Sequence, residues 1–260
     1  MLIDVHCHLT DPCYAEVGIG EVVRRAEEAG VGLMINSGCD LDSSCFCAEI
    51  SEQYESVYFC VGFHPDELHK YKEGDLEKIR ALCDNEKCVA VGEIGLDYHY
   101  DNGPDPAFQR ELFIKQLILA DEAGLPVILH SRDAALDTFE ILEEHKSLLK
   151  KGGVMHCYSY SPEMMDRFLK LGLHCSFGGP STFKNAKKVQ NCVQRIPGGR
   201  LLSETDCPYL TPEPYRGVFP NEPKNVKHVV EKIAALRNEN TEALEKQILE
   251  NAKKLFFKLK

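Results

Sequence analysis

Leu2-Ile3-Asp4-Val5-His6-Cys7-His8-Leu9 opens the chain and predicts a buried strand that ends by presenting two histidines. In an extended chain, side chains two residues apart point to the same face, so the imidazoles of His6 and His8 share one side of the strand. Two neutral imidazoles suit a Zn, Mn, Ni or Fe ion. A surface position for the pair is the alternative, so the remaining chain has to supply partner ligands before a metal site is inferred.

A pattern of strand followed by helix repeats along the whole chain. Apolar segments of strand length occur at residues 2–9, 31–37, 57–62, 89–95, 126–130, 153–156, 173–177 and 200–206. Segments of helical periodicity lie at about 20–30, 42–55, 74–84, 106–123, 133–147, 161–171, 183–195, 223–237 and 241–258. Continuous apolar strands bounded by helices are typical of parallel sheets. Eight such units in about 250 residues predict a closed (β/α)8 TIM-like barrel, an α/β fold.

The runner-up fold is a doubly wound open sheet, but the turn after the first strand lacks the G-x-G-x-x-G phosphate loop. The chain contains no linker, fixed-period repeat or low-complexity tract. We therefore expect a single barrel domain over residues 1–260. The proline-rich segment 208–223 is interpreted as a long loop after strand eight, and loops of that length at a barrel mouth are often functional.

Composition excludes several classes of protein. With 260 residues and 43% hydrophobic content, the chain is too apolar to be disordered. No apolar run approaches the roughly 18 residues of a membrane span, and the start of the chain lacks the features of a signal peptide. The twelve cysteines are scattered without a CxxC pair, which favours free thiols in a reducing compartment over disulfides or thiolate metal ligands. These features predict a cytoplasmic protein without membrane association.

The formal charge of −11 argues against a broad basic surface that wraps duplex nucleic acid. It leaves open a small phosphate-bearing substrate or a nucleic acid end that is bound locally.

Metal-ligand residue types recur where the predicted strands end, and in a barrel these ends converge on one mouth. Taken singly, His130, His156 and Asp206 could be a capped strand end, a core histidine and a helix N-cap. Taken together with the other candidates, these alternatives would require five strands to end in metal-ligand residue types by coincidence. The six candidate metal ligands are His6, His8, Glu93, His130, His156 and Asp206.

Four imidazoles and two carboxylates are more ligands than one tetrahedral zinc takes, so the set fits two ions better than one. Glu93 can bridge the ions with its two oxygens. Two cations about 3.5 to 4 Å apart lower the pKa of a shared water and neutralise charge on a phosphoryl or acyl oxygen. Asp206 could accept the proton of that water. The mixed ligands would accept Zn, Mg, Mn or Ni.

Six segments, spread in order over essentially the whole chain, resemble the TatD family of metal-dependent hydrolases in the amidohydrolase superfamily. They are Asp4-Val5-His6-Cys7-His8-Leu9, Val61-Gly62-Phe63-His64-Pro65, Val91-Gly92-Glu93-Ile94-Gly95-Leu96-Asp97-Tyr98, His130-Ser131-Arg132, His156-Cys157-Tyr158-Ser159 and Glu204-Thr205-Asp206-Cys207-Pro208-Tyr209. The resemblance implies a TIM-like barrel, divalent metals and metal-dependent nuclease activity on DNA. It also implies that Glu93 stands where many relatives in the superfamily carry a carboxylated lysine.

The resemblance extends to residues that would contact a substrate phosphate. His64 matches the histidine of the family's GxHP segment, which implies a phosphate contact or a proton donor, while a loop histidine bound to main chain is the alternative. Arg216 resembles the arginine of a late Arg-Gly segment and could fork onto a phosphate. Arg132 is an alternative phosphate clamp or a partner for a carboxylate. Asp97 and Tyr98 are expected to shape the mouth and to hydrogen-bond metal-bound histidines.

The leading functional prediction is a deoxyribonuclease or phosphodiesterase in which two divalent ions activate the attacking water, with Asp206, Glu93 and His64 as catalytic residues. Its expected partner is nucleic acid, preferably single-stranded DNA or strand ends, with no obligate protein partner. A hydrolase of a carboxylic ester, lactone or amide, including an aminoacyl ester, is the second hypothesis, because fold does not determine substrate. A non-enzymatic metal-binding scaffold is the third.

Overall fold

Eight parallel strands form one sheet in the computed structural model, which describes residues 1–260. Each strand pairs with the next in chain order, from β1 to β8. The strands are β1 Leu2–Cys7, β2 Val31–Ser37, β3 Val57–Val61, β4 Cys88–Asp97, β5 Val127–Arg132, β6 Gly153–Met155, β7 His174–Phe177 and β8 Leu201–Ser203. The predicted α/β barrel is thereby confirmed, and the open doubly wound sheet was the wrong alternative.

Nine α-helices alternate with or follow the strands. They are α1 Ile19–Glu28, α2 Leu41–Gln53, α3 Asp75–Leu82, α4 Pro106–Ala123, α5 Ala135–Glu144, α6 Pro162–Lys170, α7 Lys187–Arg195, α8 Val226–Arg237 and α9 Thr241–Leu255. The predicted bounds of α4, about 106–123, are confirmed. At its start Asp105 caps the amides of Ala107 and Phe108, and Pro106 suits the first helical position.

The predicted start of α7 was wrong. We expected the helix from residue 183, but it begins at Lys187. The 3-10 turn Gly179–Thr182 precedes it, and Phe183 is extended with φ −70° and ψ 138°. This turn packs against the loop after β8, which local periodicity does not reveal.

The predicted end of β8 was also wrong, because the strand stops at Ser203 and residues 204–206 leave the regular ladder. These residues close the barrel against β1 instead. The Asp206 amide donates to the His6 carbonyl at 3.0 Å, and the His8 amide donates to the Cys207 carbonyl at 2.8 Å. The seam therefore brings His6 and His8 beside Asp206.

A single cluster of 70 buried apolar residues draws on every strand and helix, so one continuous core supports the barrel. Each fully buried Val, Leu, Ile or Phe contributes about 1.5–3 kcal/mol relative to exposure. All twelve cysteines are free, as the sequence predicted. None of the helices has the length and apolar character that crossing a membrane requires.

Candidate metal centre

His6 on β1 and His8, which follows this strand, meet two carboxylates at the barrel mouth. His6 Nε2 lies 3.1 Å from His8 Nε2 and 3.2 Å from Glu93 Oε2. Asp206 Oδ1 lies 3.4 Å from His8 Nε2 and 3.7 Å from His6 Nε2. Three residues from the seam and one from β4 therefore converge on a common point.

The other oxygen of Glu93 faces a second group of histidines. Glu93 Oε1 lies 2.8 Å from His130 Nδ1 and 2.7 Å from His156 Nε2. These two nitrogens are 3.3 Å apart. The structure thus brings all six candidate ligands together and divides them into two groups that share Glu93.

His64 joins the second group. Its Nε2 is 3.4 Å from Glu93 Oε1, and its ring packs edge-on against the ring of His130 with centroids 4.3 Å apart. Its Nδ1 accepts a hydrogen bond from the Asp66 amide at 3.1 Å, which fixes the ring orientation. His64 therefore faces the centre, although the contact with main chain that formed the alternative interpretation is present as well.

The hydrogen-bond partners of two histidines decide which nitrogens remain free in the neutral rings. His8 Nδ1 faces the Ser37 carbonyl at 3.3 Å, and His130 Nε2 faces Asp97 Oδ2 at 2.9 Å. Both partners accept hydrogen bonds, so each of these nitrogens carries the proton. The lone pair of His8 Nε2 then points at His6 Nε2, and the lone pair of His130 Nδ1 points at Glu93.

Acceptor atoms that face one another at about 3 Å repel unless a proton or a cation lies between them. The donor set therefore fits metal ions on both sides of Glu93. Nitrogen and oxygen donors in this mixture suit borderline and hard divalent cations, as expected from the sequence.

The charge states of Glu93 and His6 agree with this fit. Burial alone would raise the pKa of Glu93, but His156, His64 and His6 outweigh burial and hold its pKa well below the usual range. Burial lowers the pKa of His6, with a further contribution from His156. The carboxylate is thus ionised and the β1 imidazole neutral at neutral pH, which are the forms that bind metals. Burial opposes protonation of the other histidine ligands, but neighbouring acidic groups outweigh burial and raise the pKa of His8, His130 and His156. A metal ion bound there therefore has to displace a proton.

Residues behind the ligands orient them, and sequence reasoning singled out few of these. Ser37 Oγ is 3.1 Å from His6 Nδ1. Glu204 is fully buried, accepts the Cys157 amide at 2.6 Å, and places Oε1 3.6 Å from His156 Nδ1. A carboxylate two residues before Asp206, directly after the strand Leu201–Ser203, was the signal that could have identified it.

Just after β6 and β8 the chain adopts left-handed backbone conformations that side chains disfavour. Asp206 has φ +56° and Cys157, which follows the ligand His156, has φ +44°. Such conformations cost about 1–3 kcal/mol each and cluster at functional sites. They turn the chain just after β6 and β8, where the ligand side chains must enter the mouth.

A cavity of about 740 Å³ lies over the candidate ligands. Two of its lining side chains are permanent cations. Lys70 is neutralised by Asp40 at 2.6 Å and by Glu67 at 2.7 Å. Arg132 forms no ion pair, and its Nη1 donates to the Tyr100 hydroxyl at 3.3 Å.

Arg216, the other arginine predicted to contact a substrate phosphate, does not reach this cavity. Arg216 is exposed and does not line the mouth. Its guanidinium carbon lies 4.0 Å from the centroid of the Phe183 ring. The proline-rich loop carries Arg216 away from the mouth and onto Phe183. The prediction from sequence order that this arginine lies beside the candidate ligands is therefore not met.

Comparison with known proteins gives concordant matches along the whole chain. A sequence model of the family described as "TatD related DNase" matches residues 3–257. The uncharacterized metal-dependent hydrolase YabD of Bacillus subtilis is 43% identical over 256 residues, covering 98% of this chain and 99% of the relative. A relative from Yersinia pseudotuberculosis named 3'-5' ssDNA/RNA exonuclease TatD is 33% identical over 260 residues, covering 98% and 99%.

A solved structure has the same architecture. The crystal structure of YjjV, a TatD homologue from Escherichia coli K12, matches with a TM-score of 0.92 and 33% sequence identity. The match covers 98% of each chain. The two chains therefore share the same fold over nearly their whole length.

Proposed function

This chain belongs to the TatD family of metal-dependent hydrolases, and we propose that it is a phosphodiesterase that cleaves single-stranded DNA at or near a strand end with two divalent ions. His6, His8 and Asp206 would hold one ion, and His130 and His156 the other. Glu93 would bind both through its separate oxygens. Zn, Mg, Mn or Ni would each suit these donors.

The observation that carries the proposal is Arg132, the permanent cation of the mouth that has no carboxylate partner. A phosphodiester brings a full negative charge to such a group, and a guanidinium binds phosphate oxygens with two parallel hydrogen bonds. A carboxylic ester, lactone or amide brings no such charge. His64, which faces Glu93 from the same cavity, supplies a second group for a phosphate oxygen.

The chain's own residues have distinct tasks in this reaction. Bound divalent cations supply water activation and neutralise charge that develops on the phosphoryl oxygens. Asp206 turns Oδ1 toward His6 and His8, which leaves Oδ2 to accept the proton of the attacking water. Burial opposes the ionisation of Asp206, but His8 and His156 lower its pKa, so the carboxylate is free of a proton at neutral pH.

Two features support a single strand over a duplex. The mouth of about 740 Å³ has the size of a small-molecule site, which accommodates a strand end. The net charge of −11 leaves no broad basic surface for an undeformed duplex. The Yersinia relative, named as an exonuclease on single-stranded DNA and RNA, agrees with this proposal.

The test combines metal content and activity on the same sample. Wild type, Glu93→Gln and the control Glu67→Gln are reconstituted and analysed for metal, then assayed on a 5′-labelled single-stranded oligonucleotide and on bis-p-nitrophenyl phosphate. Glu67 lines the same cavity without joining the candidate ligands, which makes it a matched control. We expect about two ions per wild-type chain and a loss of both activities by more than about 100-fold in Glu93→Gln.

Hydrolysis of p-nitrophenyl acetate or a lactone, with neither phosphodiester cleaved, would transfer the assignment to a carboxylic ester or amide. A reconstituted wild type that retains no metal would contradict the whole interpretation of the mouth.

A further inference from the structure

Exposed apolar side chains are concentrated on the loop that follows β8. Eleven large hydrophobic side chains are exposed in this protein, and five of them lie within residues 209–219: Tyr209, Leu210, Tyr215, Val218 and Phe219. Phe219 is 62% exposed, and its ring centroid lies 6.5 Å from that of Tyr209. Single exposed apolar residues need no explanation, but a concentration in one loop marks an interaction surface.

Unpaired cations lie on the segment beside this loop. Lys184, Lys187 and Lys188 are exposed and form no ion pair, and Arg216 on the loop itself is likewise unpaired. The loop contributes one acidic residue, Glu213, which is half-buried. A local excess of positive charge on a chain of net charge −11 indicates an anionic partner.

The two segments are packed together, so their side chains form one surface. The Glu213 amide donates to Thr182 Oγ1 at 2.9 Å, and the Arg216 guanidinium covers the Phe183 ring. A Cβ atom on Gly179 would lie 1.7 Å from the Leu210 carbonyl oxygen, so the backbones approach as closely as glycine permits. We call residues 183–188 and 209–219 together the basic-aromatic surface.

This surface is continuous with the mouth of the barrel. Tyr209 and Leu210 line the cavity over the candidate ligands, and so does Pro180 from the neighbouring segment. The Tyr209 hydroxyl donates to Asp11 Oδ2 at 3.1 Å, which holds its ring at the rim. Phe219, Lys187 and Lys188 lie beyond the cavity lining.

We propose that the basic-aromatic surface binds the part of a single-stranded nucleic acid that extends beyond the cavity, with bases stacked on Tyr209 and Phe219 and phosphates at the lysines and Arg216. Aromatic rings interleaved with cations are the pattern of sequence-tolerant single-strand binding. The proposal rests on the proposed function and adds a binding site outside the reacting centre. Tyr209 joins the two sites, a connection that a lipid surface or a second copy of the chain would not require.

The test compares long and short substrates in the metal-loaded protein. Phe219→Ala and the double variant Lys187→Gln/Lys188→Gln are assayed on a 20-nucleotide strand, a dinucleotide and bis-p-nitrophenyl phosphate. We expect KM for the long strand to rise about tenfold in Phe219→Ala, because a stacked base is lost. Activity on the two short substrates should stay within about twofold, since they end before the surface. Phe257→Ala and Lys254→Gln remove an exposed ring and an unpaired lysine elsewhere and should change nothing.

Binding of the labelled 20-nucleotide strand to Glu93→Gln protein, measured by fluorescence anisotropy, tests the surface without turnover. The slope of log affinity against log salt is negative and should become less steep by about 1.4 when both lysines are replaced. If wild type cleaves no phosphodiester but this binding and its salt slope behave as expected, the proposed function fails and the surface stands.

The proposed surface would be overturned if the variants lose activity equally on long and short substrates. It would also be overturned if they lose activity on neither substrate and the salt slope of binding is unchanged. If the variants bind the strand as wild type does but no longer bind anionic vesicles, the surface binds lipid. If they bind the strand as wild type does but no longer form a dimer that wild type shows in light scattering, the surface binds a second copy of the chain.

Discussion

Asp97 determines which nitrogen of His130 faces the metal centre. The Asp97 carboxylate accepts the Nε2 proton of His130 at 2.9 Å with Oδ2, while its Oδ1 accepts the His99 amide at 2.9 Å. Burial works against ionisation of Asp97, but the hydrogen bond from His130 lowers its pKa, so it remains a carboxylate. The imidazole is therefore held in one tautomer and one orientation, with Nδ1 directed at Glu93.

We expect Asp97→Asn to weaken metal binding and to reduce activity by about 10- to 100-fold, because an amide is a weaker acceptor and leaves the tautomer less firmly fixed. Metal affinity is measured by competition with a chromophoric chelator, and activity with bis-p-nitrophenyl phosphate. Asp133→Asn is the matched control, since Asp133 is 65% exposed and pairs with His99 outside the centre. Unchanged metal affinity in Asp97→Asn would contradict the positioning role.

At the level of elements, the pairing of β4 with β5 sets the distance between Glu93 and His130. Gly95 stands opposite His130 in this register. Its φ of +147° suits glycine, and a Cβ atom there would lie 1.9 Å from the His130 carbonyl oxygen. The two strands approach at this point as closely as the backbone allows, which places His130 Nδ1 within reach of Glu93.

Gly95→Ala should push β5 away from β4, because the added methyl group meets backbone that cannot rotate aside. We expect the free energy of unfolding to fall by more than about 3 kcal/mol, or soluble protein to be lost. Urea denaturation measures the change, and the control is Gly199→Ala, where an added Cβ meets nothing within 4 Å. Wild-type stability in Gly95→Ala would show that the strands can separate at little cost.

At the scale of the whole molecule, the candidate centre draws on segments that lie far apart along the chain. His6 lies on β1, Glu93 on β4 and His130 on β5, while His8, His156 and Asp206 follow β1, β6 and β8. The unfolded chain therefore holds no preformed site, and binding energy at this centre adds to folding energy.

We expect divalent metal at about 100 times its dissociation constant to add about 2.7 kcal/mol for each bound ion, and therefore to raise Tm by about 10–20 °C when both ions bind. Differential scanning calorimetry of chelated protein, with and without Zn, Mn, Mg or Ni, measures the shift. Glu93→Gln should show less than about half of it, because one shared ligand is weakened, and Glu67→Gln should match wild type. If none of the four metals changes Tm, the six donors do not form a metal centre.

The sequence by itself determined the strand and helix order, because burial of strands between helices leaves continuous apolar segments that can be recognised locally. It also located the six candidate ligands, since the carboxyl ends of parallel strands in a barrel meet at one mouth whatever the details of packing. Chain order alone therefore sufficed to group His6, His8, Glu93, His130, His156 and Asp206.

The tertiary structure decided which side chains touch. Glu204, after β8, approaches His156, after β6, past the intervening strand β7, and the left-handed turn at Asp206 closes the seam against β1. Arg132 stays in the mouth while Arg216 is carried outward to Phe183. Such contacts depend on strand register and on the path of loops, which arise from packing between residues distant in sequence, so no local pattern in the chain encodes them.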